Sequence, residues 1–196
     1  MNRLLLILIL MFSFQSWTKA DDITDFQIEG ISVGDSLLDY YSEAEINSKN
    51  KNYYKDKDFL RVDFNPENSI YDKISYTFKP KDKKYILHSV RGVLVYENNQ
   101  ECLIKKDSIN IELSQMFKNS KVVDSGKRDH ASDPTGESKG YSIYYWINGA
   151  FVEISCYDLT EKFSKKKKWL KNTLNINVVT KEFSDFLLTK HFNNDF

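Results

Sequence analysis

The stretch Asp129-His130-Ala131-Ser132-Asp133-Pro134-Thr135-Gly136-Glu137-Ser138 gathers more chemically capable side chains than any other part of the chain. His130, Asp133 and Ser138 are the residue types of a nucleophilic triad. In such a triad a base lies within hydrogen-bond reach of a hydroxyl and a carboxylate orients the base. Asp129, His130 and Asp133 are, alternatively, the donor types of a small metal site. Neither signal is specific. No G-x-S-x-G elbow presents the serine, and a loop positions groups poorly for chemistry. The plainer reading is a solvated loop that uses Asp, Ser and Pro to turn, and it is preferred. The chain carries no H-E-x-x-H, no C-x-x-C, no phosphate loop and no dinucleotide fingerprint, so no metal or cofactor is expected. His88 falls on the apolar register of its segment and reads as a structural histidine. His191 lies beside Phe192 among polar residues.

The second chemistry is sulfur. The chain has two cysteines, Cys102 and Cys156. Asn148-Gly149 is the favoured two-residue hairpin turn. It pairs Ile147 with Ala150, Trp146 with Phe151 and Tyr141 with Cys156. Strand periodicity then puts Val152, Ile154 and Cys156 on one apolar face with Ile143, Tyr145 and Ile147. Cys102, Ile109, Leu113, Met116 and Phe117 share one side of a helical pattern. A helix laid on the inner face of the sheet brings the two sulfurs together, so a Cys102–Cys156 disulfide is expected in an oxidising compartment.

Two surface features remain. Tyr144, Trp146 and Phe151 lie on the outward face of the hairpin, where a cluster of exposed aromatics would suit a partner or ligand. The alternative is that this face is covered too, since cross-strand aromatic pairs are ordinary sheet contacts. Lys165, Lys166, Lys167 and Lys168 beside Trp169 would suit anionic headgroups or another acidic surface. A lysine run that simply faces water is the commoner outcome.

The elements that hold these groups follow from pattern. Ser32 with Asp35 reads as a capping-box variant opening a helix with Leu37, Leu38 and Tyr41, and Ser42-x-x-Glu45 as a second start. Residues 47–58 read as a polar linker. Alternating segments at 59–64, 69–78 and 85–97 are separated by turn chemistry. A helix follows over 99–118, then a long loop over 119–140 with a brief strand at Val122-Val123, the hairpin at 141–157, a short helix capped by Thr160, a strand over 173–179 and a closing helix over 180–192 carrying Phe183, Phe186 and Leu187. Strands joined by turns rather than crossover helices imply antiparallel pairing. The expectation is an α+β domain: an antiparallel sheet of about six strands, with three helices packed mainly on one face. The order also leaves open a duplicated helix-plus-sheet unit.

Residues 1–20 read as a cleavable secretory signal. Asn2-Arg3 precedes the apolar run Leu4–Phe12, and Thr18-Lys19-Ala20 offers a cut after Ala20. The run is short for a membrane span, which needs about 20 residues. The remaining residues 21–196 suit one domain with a real core. Lys plus Arg and Asp plus Glu each number 28. Losing Arg3 and Lys19 leaves a slightly negative chain, with no global basicity for nucleic acid. At FQIEGISVGDSLLDYYSEAEI, ISCYD and KEFSDFLLTKHF the chain resembles a group of small uncharacterised exported proteins of pelagic alphaproteobacteria. The resemblance runs along most of the mature chain and implies export but no activity. IEGISVGDS also resembles the opening helix of the SmpA/OmlA-type envelope lipoproteins, over about one helix and without their lipid-carrying cysteine. The expectation is a periplasmic or secreted domain that acts by binding an envelope protein, a small ligand or the membrane surface. The alternatives are a hydrolase or metal-dependent enzyme using the 119–140 loop, and an envelope-assembly factor.

Overall fold

The computed structural model describes residues 22–167 and 172–191. The proposed signal segment, Lys168 and Trp169 lie outside the described residues. The chain forms one eight-stranded antiparallel sheet. Its strands are β1 (Lys51–Tyr53), β2 (Leu60–Phe64), β3 (Lys73–Phe78), β4 (Leu87–Val95), β5 (Lys121–Asp129), β6 (Lys139–Ile147), β7 (Ala150–Asp158) and β8 (Asn172–Val179). They lie in the order β1-β2-β3-β4-β8-β7-β6-β5. Four α-helices accompany them: α1 (Glu43–Ser48), α2 (Asn99–Met116), α3 (Glu161–Lys167) and α4 (Lys181–Phe186). A helix followed by a four-stranded meander thus occurs twice, and the last strands of the two units, β4 and β8, meet in the middle.

The antiparallel α+β expectation holds, but eight strands replace about six. The additions are edge strands. β1 forms within the stretch read as a linker. β5 extends the brief strand expected at Val122-Val123 through the stretch otherwise read as a loop, and eight of its nine residues are exposed. Such strands bury neither face, so they lack the apolar alternation by which strands are recognised. The expectation of three helices mainly on one face is also corrected: α2 packs over β7 and β8 on one side, while α4 packs on β7 and β4 against the aromatics of the other. The helix expected after Ser32 does not form. Asp35 does accept from the Ser32 N–H at 2.9 Å, but Gly34 has φ +92°, which a right-handed helix cannot contain. The Gly34 N–H instead donates to the Leu87 carbonyl at 2.8 Å, and a 3-10 turn covers Leu37–Asp39. The Ser42-x-x-Glu45 start is a full capping box and opens α1.

The main core lies on the sheet face that carries Val62, Ile74, Tyr76, Val90, Ile176, Val152, Ile154 and Tyr145. Gly92 sits in this layer beneath the ring of Tyr71. A Cβ at that position would come within 2.3 Å of the Tyr71 ring, so only glycine admits that lid. α2 closes the face over β6 to β8. Its Asn98 cap bonds the Glu101 N–H, and the Tyr145 hydroxyl donates to Asn110 on the helix. The hairpin register is as the Asn-Gly turn requires, with Tyr141 opposite Cys156 and Ile147 opposite Ala150. Cys102 and Cys156 are joined, their Cα atoms 6.0 Å apart, and both are fully buried.

Tyr144, Trp146 and Phe151 are not an exposed patch. Phe151 is 6% exposed, and it packs with Phe59, Val179, Phe183 and Phe186 in a second core, which Tyr144 and Trp146 flank half-buried. The cover comes from α4, whose Phe183 and Phe186 face the sheet. His88 is displaced as well. Thr77 faces Ser89 and Phe78 faces Leu87, so His88 is the extra residue of a β-bulge. The bulge swaps the alternation: Leu87 enters the main core, and the His88 ring meets Phe59 at 5.2 Å on the other side.

The disulfide closes a separation of 54 residues, worth about 4 kcal/mol in the chain-entropy model. Reduction, or the pair Cys102→Ser and Cys156→Ser, is expected to lower unfolding free energy by about 2–4 kcal/mol. Phe183→Ala is expected to cost about 3–5 kcal/mol by emptying the second core. Urea denaturation of each variant checks both.

Candidate functional site

The loop that gathers Asp129, His130, Asp133 and Ser138 is a built turn. Asp133 accepts from the Thr135 N–H at 3.1 Å, the Thr135 hydroxyl at 2.7 Å and the Ser138 N–H at 3.0 Å. Hydrogen bonding from Ser138 and then Thr135 holds its carboxyl well below the usual range. The buried Ser138 hydroxyl accepts from the Thr160 N–H at 3.1 Å and so anchors the entry to α3. His130 Nδ1 accepts from the Ser132 N–H at 3.3 Å, and its ring packs on Tyr157 and Phe163. Burial pushes its pKa down, opposed by the Asp133 carboxylate. Asp129 takes the Lys139 ammonium at 2.6 Å. The three triad candidates are close, but their polar atoms fasten the turn to α3 and to itself. No group of three His, Cys, Asp or Glu side chains poised for a metal occurs among the described residues.

His88 is held by Thr180, whose hydroxyl lies 3.3 Å from Nδ1, and faces Glu182 at 3.6 Å. Burial lowers its pKa, opposed by Glu182. Lys165 pairs with Glu161 one turn earlier at 2.5 Å, and Lys166 is exposed. The rest of that lysine run, with Trp169, is outside the described side chains.

The arrangement best suited to a ligand was not singled out by sequence. A cavity of about 310 Å³ opens where the N-terminal segment crosses the β2–β3 end of the main core, within the size range of small-molecule sites. Its floor is Ile31, Ile74 and Tyr76, and its walls are Tyr40, Tyr41, Ser69 and Glu29. β3 delivers Tyr76, which is 0% exposed. Its hydroxyl lies 3.3 Å from that of Tyr41, and burial pushes its pKa far up, with the Tyr41 hydrogen bond next. Tyr41 packs on Phe64 at 4.2 Å and is thereby fixed. The Tyr40 hydroxyl donates to Asp35 at 2.9 Å.

Glu29 reaches the cavity from a tight hairpin. Ile28 and Ile31 exchange both backbone hydrogen bonds, at 3.0 and 3.1 Å, across Glu29-Gly30. Both central residues have positive φ, 53° and 76°, the pattern of a type I′ turn. That turn favours Asn, Asp or Gly at its first central position, so glutamate there costs of order 1 kcal/mol. The Ser69 hydroxyl donates to the Glu29 carboxylate at 2.9 Å and holds it at the rim. The cavity is therefore lined by three tyrosines and one carboxylate, and by no cationic side chain among the described residues. Such a lining attracts positive charge through both the carboxylate and the ring faces. One signal in the sequence pointed here: Glu29-Gly30 between Ile28 and Ile31 is a two-residue turn flanked by apolar residues.

The depressed histidines and Asp133 set the acid response. His88 and His130 titrate below 6.5 in the folded state. The unfolded chain therefore binds more protons there, and stability falls as pH drops through that value. Asp133 is held below 3.8, so its contribution is lost in a second step below that pH. Urea midpoints measured from neutral to strongly acidic pH are expected to fall in two stages. His130→Gln should shrink the first and Asp133→Asn the second.

No protein-family model, no curated protein and no solved structure matches the chain, so function is argued from the cavity itself.

Proposed function

We propose that this is an exported binding protein whose ligand is a small organic cation held in the Tyr40–Tyr41–Tyr76 cavity. The observation that carries the reading is Glu29. A residue type disfavoured at its own backbone conformation is kept there, bonded to Ser69, with its carboxylate at the mouth of an aromatic cavity. Strain retained at a concave site is the usual mark of function. Tyr40 and Tyr41 offer ring faces, with Tyr76 packed beneath them, and the contribution of a cation over such rings is about 0.5–2 kcal/mol. The Cys102–Cys156 pairing and the N-terminal charge–apolar–small pattern support a periplasmic or secreted location. The alternative of a hydrolase in the 119–140 loop has less support, because Asp133 and Ser138 spend their oxygens within the fold.

Titration with tetramethylammonium, followed by tyrosine ring signals in NMR, tests the reading. Saturable shifts confined to Tyr40, Tyr41 and Tyr76 are expected, with tert-butanol, a neutral molecule of similar size, binding about tenfold more weakly. Glu29→Gln should weaken the cation about tenfold and leave tert-butanol unchanged. Glu29→Asn should do the same while raising stability by up to about 1 kcal/mol, since Asn suits the turn. Equal binding of charged and neutral probes, or no saturable shift, would defeat the proposal.

A further inference from the structure

The sheet face opposite the main core carries a cluster of charged side chains. Between the aromatics under α4 and the far end of the strands, this face is polar. One row runs Asp63, Ser75, Arg91, Asn177, Glu153, Tyr144 across β2, β3, β4, β8, β7 and β6. Arg61 stands two residues from Asp63 on β2, and Lys73 two residues from Ser75 on β3. Alternation puts both on this same face. Three cations thus converge on one carboxylate at the β2–β4 half of the row. Glu153, beyond Asn177, accepts from the Tyr157 hydroxyl at 3.5 Å, and Arg91 acts electrostatically on that hydroxyl, so the three cations face two carboxylates and remain in excess.

The cations are poorly served by the protein. Arg91 Nη2 donates to Ser75 Oγ at 3.3 Å, but its buried Nε has no hydrogen-bond partner among the described residues. Arg61 Nε lies 3.1 Å from Asp63 Oδ1, yet the two are misaligned for a hydrogen bond. Lys73 is half-buried, and its ammonium makes no hydrogen bond or ion pair within the range of one among the described residues. Burial lowers its pKa. Asp63 opposes this, while Arg91 and Arg61 add to it. A buried guanidinium nitrogen without an acceptor is costly, and Arg presents its donors in a fork that fits a carboxylate or phosphate edge. Arg61 and Asp63 keep 28% and 24% of their side-chain surface, so the cluster is open to solvent on the β2 side.

We infer that Arg61, Lys73 and Arg91 form a binding site for a small oxyanion, a carboxylate or phosphate group that enters from the exposed β2 side and, as the Arg91 side chain shifts toward it, accepts from the Arg91 Nε–H and offsets the excess positive charge. The site is separate from the tyrosine cavity, because Ile74 and Tyr76 face the cavity while Ser75 between them faces the anion site. One sheet strand serves both.

Titration of the oxidised protein with sodium acetate and, separately, with inorganic phosphate is read at the Arg91 and Arg61 Nε–H signals by ¹H–¹⁵N NMR, the Arg61 signal serving for the Arg91→Lys variant. A saturable shift with acetate alone assigns a carboxylate ligand, and with phosphate alone a phosphoryl ligand. Saturation by both assigns the tighter-binding group. Lys73→Met and Arg91→Lys should each weaken the response about tenfold, the second because it keeps the charge but loses the fork. Circular dichroism confirms that each variant is folded, and the wild-type titration stands without them. Glu29→Gln should leave anion binding unchanged, so failure of the cavity reading and failure of this one are distinguishable. A signal that moves linearly with ionic strength for both salts, or an undiminished response in folded Arg91→Lys, overturns the inference.

Discussion

The whole architecture depends on one seam, the antiparallel pairing of β4 with β8. Seven residue pairs, from Ser89 with Val179 to Val95 with Thr173, join a meander built from residues 51–95 to one built from residues 121–179. Each meander is local in sequence: its neighbouring strands are consecutive in the chain, β7 and β8 being joined through α3. The seam is long-range, and it completes both faces at once. On one side it carries the apolar layer from Val90 to Val178; on the other it sets Arg91 beside Asn177. A one-residue slip would exchange the two faces along the whole strand. The apolar row therefore guards the register that places the polar one.

A two-sided sheet must hide whatever is apolar on either side, and the helices divide that task. α2, tied through Cys102 to β7, covers the main core over the second meander. α4 covers only the aromatic end of the opposite face, where Phe151 and Val179 meet Phe183. The first meander has no long helix. Its core face is closed instead by the irregular N-terminal segment, with Ile28, Ile31, Val33 and Leu37. Irregular chain fills a flat surface less completely than a helix does, and the tyrosine cavity lies beneath that segment. The cavity is thus a consequence of how the first unit is covered, and its polar groups come from the covering segment and the 65–69 turn.

The legible parts of the sequence are those where local chemistry and burial agree. Asn148-Gly149 fixes a register, alternation around it assigns faces, and the sulfur pairing follows from Cys156 and the helical spacing of Cys102. Ser42-x-x-Glu45 and Thr160 mark helix starts that form. β1, and most of β5 beyond Val122-Val123, are not legible because exposed edge strands such as Lys121–Asp129 carry no apolar period. His88 was misplaced because a bulge inserts one residue without any mark in composition. The aromatics Tyr144, Trp146 and Phe151 were placed on the correct face but not under their cover, since α4 returns to them only through tertiary packing. Both candidate sites needed the fold. Glu29, Tyr41, Ser69 and Tyr76 are distant in sequence, and Arg61, Lys73 and Arg91 each look like an ordinary outward polar residue of an alternating strand.

β3 shows how the two sites share one scaffold. Along Lys73–Phe78, Ile74, Tyr76 and Phe78 point to the core side, while Lys73, Ser75 and Thr77 point to the polar side. All but Lys73 are buried, because β2 and β4 flank the strand, the main core covers one face, and neighbouring side chains such as Arg91 lie over the other. An interior strand of this kind usually reads as an apolar run; here half of it is polar, and burying those groups opposes folding unless they are paired. Ser75 bonds Arg91, whereas the Arg91 Nε–H is left without an acceptor. Glutamate at a turn position suited to asparagine is a second departure from the most stable sequence, on the opposite side of the same strand. Two costs on either face of one well-packed strand fit a scaffold rigid enough to hold binding groups in arrangements that are unfavourable while empty.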